Sequence, residues 1–153
     1  MPIDVVDADP GDPEIIAWDA QISGRLRPED HAYWQATVRG TPVWCRRHGV
    51  VVGYGYVQPV PASGRRPESL IVGPVGVRSP DHAEACLLAI VRSAAARTEL
   101  LHLAVPGAHP GLAPLTRAGF RVKYVETFCS SGGAVFDPRT YTPSTTMEGT
   151  ALL

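Results

Sequence analysis

Ser69-Leu-Ile-Val-Gly-Pro-Val-Gly-Val-Arg78, followed by Ser79-Pro-Asp-His-Ala-Glu-Ala-Cys-Leu-Leu-Ala-Ile-Val-Arg92, decides how the chain folds. The first segment is apolar and β-branched, as a buried strand requires, but Gly73-Pro74 interrupts it. Proline offers a sheet no ladder donor, so a bulge or bend is expected at that point. Ser79-Pro80-Asp81 then supplies a capping hydroxyl and a proline suited to a first helical turn. Behind it Leu87, Ile90, Val91 and Ala94 share one helical face, and the run 85–91 is apolar nearly all round. Such a helix must be buried on more than one side. Leu100 to Val105 reads as a short apolar strand, and a helix of this length between two strands suits a parallel crossover.

Upstream, Ile3 to Val6 is a candidate first strand, and Asp9-Pro10-Gly11-Asp12-Pro13 breaks it. Asp12 suits an N-cap and Pro13 a first helical residue. Ile15, Trp18 and Ile22 then lie on one face, and Gly24 is placed to end the helix. A second helix is expected from Pro28, with Tyr33, Trp34 and Val38 as its apolar side and Gly40 at its close. Pro42 to Arg46 and Val50 to Val57, separated by Arg47-His48-Gly49, form a hairpin. Strict alternation puts Val50, Val52, Tyr54 and Tyr56 on one face of its second strand.

Downstream, a brief helix over Leu112 to Ala118 ends at Gly119, and Phe120 to Cys129 is expected as a last long strand with a short partner at 134–136. The fold class is therefore α/β, a mixed and mostly antiparallel sheet flanked by helices. Residues 1–137 make up the domain, and 138–153, rich in Thr and Pro without periodicity, are expected to be a mostly irregular tail.

The 153 residues suffice for one domain with a sizeable core. A net charge of −1 and the absence of a dense Arg or Lys cluster argue against nucleic acid as a partner. No apolar run approaches the roughly 20 residues that span a bilayer, and 1–10 lacks the character of a secretory leader, so a cytoplasmic protein is expected. The three cysteines, Cys45, Cys86 and Cys129, have no metal-ligand spacing and are expected to be reduced and buried; no metal is called for.

The element order and several short motifs resemble the GNAT N-acyltransferase superfamily. Gly76-Val77-Arg78 into Ser79–Arg97 is similar to the family's fourth strand and cofactor-binding helix, and Leu101–Pro106 to its fifth strand. Leu115-Thr-Arg-Ala-Gly-Phe-Arg121 resembles the short helix and Gly-Phe pair that open the sixth. With Trp18–Arg25 and Gly73-Pro74-Val75, the chain resembles the C-terminal half of tandem GNAT proteins of the YitH/HolE type. The resemblance covers roughly residues 3–136 and implies a GNAT-like sheet whose fourth and fifth strands run parallel and splay apart.

It also implies acetyl-CoA in that opening. The cofactor-binding residues would be Val75 and Val77 through their main chain, Arg78, Ser79 and His82 at the helix start, and His109 beyond the fifth strand. Candidate catalytic residues are Glu68 and Glu126 as bases and Tyr54 toward the acceptor, an amine of a small molecule or protein. Two departures stand out. The segment Arg78 to Glu84 has no glycine and carries Asp81 and Glu84, and Leu115 stands where the family often has a tyrosine acid. Two functions are therefore expected in competition. One is acetyl-CoA-dependent N-acetylation; the other is a degenerate GNAT-like domain serving as a partner, regulatory or dimerisation lobe, paired with a second copy or a companion GNAT domain.

Overall fold

Asp12 accepts a hydrogen bond from the Glu14 amide at 2.9 Å and so caps the helix that Pro13 opens. This is the first of four α-helices among the residues that the computed structural model describes, 2–60, 69–123, 125–127 and 136–144. Helix α1 spans Pro13–Ser23 and stops where Gly24 turns left-handed, at φ 76°. Helix α2, Pro28–Ala32, widens into a π-helical turn over Tyr33–Thr37. Trp34 is buried there, but Tyr33 is 53% exposed, so the apolar side expected of this helix holds only in part.

Strands β1 (Asp4–Asp7), β2 (Thr41–Arg47), β3 (Val50–Pro59) and β4 (Leu70–Val77) form an antiparallel meander. The tight turn of the β2–β3 hairpin falls at His48 and Gly49, with φ 52° and 78°. Against β3, Val57 faces Val72 and Gly55 faces Val75, so β4 carries an extra residue at Gly73-Pro74, the bulge expected there. A second irregularity sits opposite Cys45 and Arg46, where β3 gains Val52. It breaks the alternation expected for β3. Val51 now packs with Tyr54 and Tyr56 on one face of the sheet, and Val52 packs with Val57 on the other.

After β4 a 3-10 turn, Pro80–His82, leads into helix α3, Ala83–Ala95. Its Cys86, Leu87, Ile90 and Ala94 are fully buried against Val43, Val57, Val72, Val75 and Val77. Each large aliphatic side chain so buried contributes about 1.5–3 kcal/mol. The opposite face of the sheet is covered by α1 and α2, where Ile15, Trp18 and Trp34 pack on Trp44, Tyr54 and Tyr56. Gly76 lets these layers close. A Cβ there would lie 2.5 Å from Tyr54 Cε1.

Strand β5 is shorter than the expected Leu100–Val105. Only Leu101–His102 pair, parallel to Leu70 and Ile71. Helix α4, Leu112–Arg117, follows. Two expectations fail downstream. Residues 120–123 and 125–127 form no strand, and Val122 and Val125 are 64% and 87% exposed. Neither alternating set of this stretch is uniformly apolar, because charged Arg121, Lys123 and Glu126 interrupt both, so no face is driven onto the sheet. The segment beyond 137 is not simply a tail. Tyr141–Thr142 form strand β6, antiparallel to β4 and buried, so the folded domain extends past residue 137. The partner strand expected at 134–136 lies largely outside the described residues.

Cys45 and Cys86 are free and buried, as expected; Cys129 lies outside the described residues. The neighbouring Cys86 thiol and burial push the Cys45 thiol far above its ordinary range, which leaves it inert. No helix among the described residues is long and apolar enough to cross a membrane.

Candidate functional site

The polar centre of the domain is Asp19, on the same face of α1 as Ile15 and Trp18 yet fully buried. A buried carboxylate is costly unless every lone pair is used. Here Arg27 Nε donates to Oδ2 at 2.8 Å and Arg27 Nη2 to Oδ1 at 3.0 Å. The Tyr54 hydroxyl donates to Oδ1 at 2.5 Å, and His31 Nε2 lies 2.9 Å from Oδ2. Since a carboxylate only accepts, His31 Nε2 is the donor. The chain of bonds continues from His31 Nδ1 to the Tyr56 hydroxyl at 2.7 Å, which accepts from Gln35 Nε2 at 3.0 Å. Arg27 also reaches Tyr141 on β6, donating from Nη2 to its hydroxyl at 2.6 Å.

Burial alone would raise the Asp19 pKa. The hydrogen bonds from His31, Arg27 and Tyr54, with the Arg27 charge, outweigh it and hold the carboxyl well below the usual range. Burial and the Asp19 charge raise the Tyr54 hydroxyl well above its ordinary value, and burial takes Tyr56 up to about 12. These groups resemble an acid–base relay in composition. Chemically they are a closed structural network, because each proton is held between buried partners.

The start of α3 is closed as well. Ser79 Oγ accepts from the Asp81 amide at 3.3 Å, the His82 amide donates to Ser79 O at 3.1 Å, and the Ala83 amide donates to Pro80 O. Asp81 and Glu84 line an open groove of about 1000 Å³ between β1 and α3, together with Arg47 and Arg92. A smaller pocket of about 380 Å³ opens on the α1 side, lined by Gln21, Ile22, Val77, Arg78, Asp137 and Thr140.

Beside that pocket the second edge of β4 is shared. Because β3 lies along one edge from Leu70 to Val77, β5 and β6 must both sit on the other. Strand β5 takes Leu70 and Ile71; β6 takes Val75 and Gly76, and the Val77 amide donates to Thr140 O at 2.9 Å.

A parallel β4–β5 pair after an antiparallel meander, joined by one buried helix, is an arrangement that solved structures share. An aminoglycoside acetyltransferase from an uncultured soil metagenomic sample matches with a TM-score of 0.59 at 11% identity, over 86% of this chain and 100% of that one. The ribosomal-protein-alanine N-acetyltransferase of Brucella melitensis matches at 0.52 and 19%, over 85% and 99%. A Pyrococcus furiosus protein described as an acetyl transferase matches at 0.60 and 12%, over 84% and 99%. The fold is the GNAT acetyltransferase fold. At these identities the GNAT likeness is one of architecture. No protein-family model and no curated protein sequence matches the chain.

On this GNAT frame the residues expected at the site are engaged within the chain wherever the structure describes their contacts. Val75 and Val77 bury their side chains in the core and pair their main chain with residues 140–142. The Arg78 guanidinium stacks 3.7 Å above the Trp18 ring, Ser79 caps its own turn, and His82 Nδ1 lies 3.5 Å from Arg47 Nη1. His109 is buried and accepts from the Gly111 amide at 3.0 Å, so it fixes the entry to α4. Its burial lowers its pKa to about 4. Tyr54 does not line an acceptor cleft; its ring is fully buried and its hydroxyl is bound to Asp19. Glu126 is exposed and lies in no strand, and Glu68 lies outside the described residues. Leu115 is a core residue at 3% exposure. The Asp19 network was missed from sequence, although a carboxylate on the apolar face of α1 was a readable sign of a buried partner.

Proposed function

We propose that this chain is an acyltransferase-like GNAT domain that works without acetyl-CoA, as a partner, regulatory or dimerisation lobe for a second copy or a companion GNAT domain. The observation that carries this reading is the start of α3, where the Asp81, His82 and Ala83 amides are each bonded within the chain. A pyrophosphate gains at a helix N-terminus only from amides without another acceptor. Here Pro80 has no N–H, and freeing each of the other donors costs about 1 kcal/mol. The residues present therefore do not fit the nucleotide end of acetyl-CoA. The acid–base inventory supports the same reading, since the Asp19 carboxylate is saturated and Leu115 cannot donate a proton.

Calorimetric titration of the whole chain with acetyl-CoA tests it. Little heat is expected at concentrations that saturate working acetyltransferases, whereas a low-micromolar dissociation constant would remove the lobe reading.

One observation favours a second reading, acetyl-CoA-dependent N-acetylation of a small-molecule or protein amine. Strands β4 and β5 are parallel and pair only at Leu70 and Ile71, so beyond Ile71 that β4 edge is held by the two-residue strand β6 and not by β5. Bringing an amine and a thioester together is largely a matter of positioning, so few catalytic side chains are needed. Acetyl transfer to an amine panel, with binding in the low-micromolar range, is the result this second reading requires.

A further inference from the structure

We propose that Asp137 to Ser144 is a built-in, displaceable occupant of the second edge of β4, laid where an extended ligand would otherwise pair. The inference goes beyond the lobe reading, because it assigns the closure of β4 to a movable segment and not to β4 itself. Strand β5 leaves the edge after Ile71, and a bare edge of a sheet is a template for any extended chain. The chain covers it with its own residues. Thr142 faces Val75, Tyr141 faces Gly76, and Thr140 O accepts from the Val77 amide at 2.9 Å. The cover continues past the strand. A Cβ on Gly73 would stand 2.5 Å from Pro143 O and 3.0 Å from Ser144 Cα.

A ladder this short holds little by itself. Tyr141 supplies the hold. Its side chain is fully buried, it accepts from Arg27 Nη2 at 2.6 Å, and its ring meets Phe136 edge-on with centroids 4.8 Å apart. Thr142 works against it, since its Oγ1 is buried without a hydrogen-bond partner. An unpartnered buried hydroxyl penalises the closed form and is relieved when the segment leaves. The segment thus has a latch at Tyr141 and a built-in weakness at Thr142. The ligand class it excludes is an extended chain bearing amide groups, and the pantetheine arm of acetyl-CoA serves as the probe.

The test compares whole-chain Tyr141→Phe and Thr142→Val by amide hydrogen exchange and by calorimetry with acetyl-CoA. Tyr141→Phe keeps the ring and removes the acceptor of Arg27; Thr142→Val replaces the unpartnered hydroxyl with a methyl of the same shape. Exchange at the Val77 amide is expected to rise about tenfold in the first variant and to fall by a similar factor in the second. Acetyl-CoA binding should become detectable in Tyr141→Phe, while the native chain and Thr142→Val show little heat. Exchange that is unchanged, or that moves the same way in both variants, overturns the proposal. Faster exchange in Tyr141→Phe without a gain in binding also overturns it, and leaves the lobe reading in place. If the native chain binds acetyl-CoA and the amides of 140–142 become exposed, the lobe reading fails and the displaceable segment stands. Binding with those amides still protected overturns both.

Discussion

Arg27 and Tyr141 are 114 residues apart in sequence and 2.6 Å apart at Nη2 and the hydroxyl oxygen. The contact joins the loop before α2 to β6, and the same guanidinium pairs with Asp19 in α1. Helix α1, the loop before α2 and strand β6 are thereby tied to one buried charge pair.

Asp19→Asn is expected to destabilise the domain by about 3–5 kcal/mol, since it leaves the Arg27 charge buried without its counter-ion. Chemical denaturation measures this, and a loss below about 1 kcal/mol would show that the pair is expendable. The sign with pH is fixed too. The folded Asp19 pKa is depressed, so its stabilisation is complete above the ordinary carboxylate range and disappears only as strong acid protonates the folded form.

Thr142→Val removes a buried hydroxyl that has no partner and conserves shape, so it should raise stability by about 1–2 kcal/mol. A loss of stability of that size would mean the hydroxyl is bonded in solution.

His109 makes stability depend on mild acid. Its folded pKa is lowered to about 4 from an unfolded value of 6.5, so the unfolded chain binds more protons between those limits. Stability should therefore be full above about pH 6.5 and fall, by on the order of 2 kcal/mol, as pH drops toward 4. Protonation also abolishes the Nδ1 acceptor for the Gly111 amide. His109→Asn should flatten that part of the pH profile. An unchanged slope in the variant would assign it to other groups.

Gly76→Ala should cost about 1–3 kcal/mol, because the new methyl meets the Tyr54 ring and Asp19 holds that ring by its hydroxyl. Thermal unfolding reads the loss. A neutral outcome would show that Tyr54 has room to move.

Much of this architecture is local chemistry and was legible in the sequence. Asp12-Pro13 and Gly24 bound α1, His48-Gly49 turns the hairpin, Gly73-Pro74 bulges β4, and Ser79 caps its own turn. What escaped is mostly non-local. The strand expected at Phe120 to Cys129 does not form over 120–123 and 125–127, because Arg121, Lys123 and Glu126 interrupt both of its alternating sets. Strand β6 is two residues long in a Thr and Pro-rich stretch, too short to show a period, and it exists because β4 offers an open edge. Asp19 could be seen on the apolar face of α1, but its partners come from positions 27, 31 and 54, and no single stretch announces them. The site residues expected from the family resemblance fared likewise. Tyr54 was rightly placed in a strand, yet it serves the buried network.

The most direct test of the central claim follows the amide resonances of Asp81, His82, Ala83 and Val77 while acetyl-CoA is added to the native chain. These donors are already bonded to Ser79, Pro80 and Thr140, so no saturable shift is expected up to about millimolar concentrations, where only affinities weaker than about −4 kcal/mol would remain undetected. Saturation of all four resonances at low micromolar acetyl-CoA would contradict the account, because both the helix start and the β4 edge would then be open to the ligand.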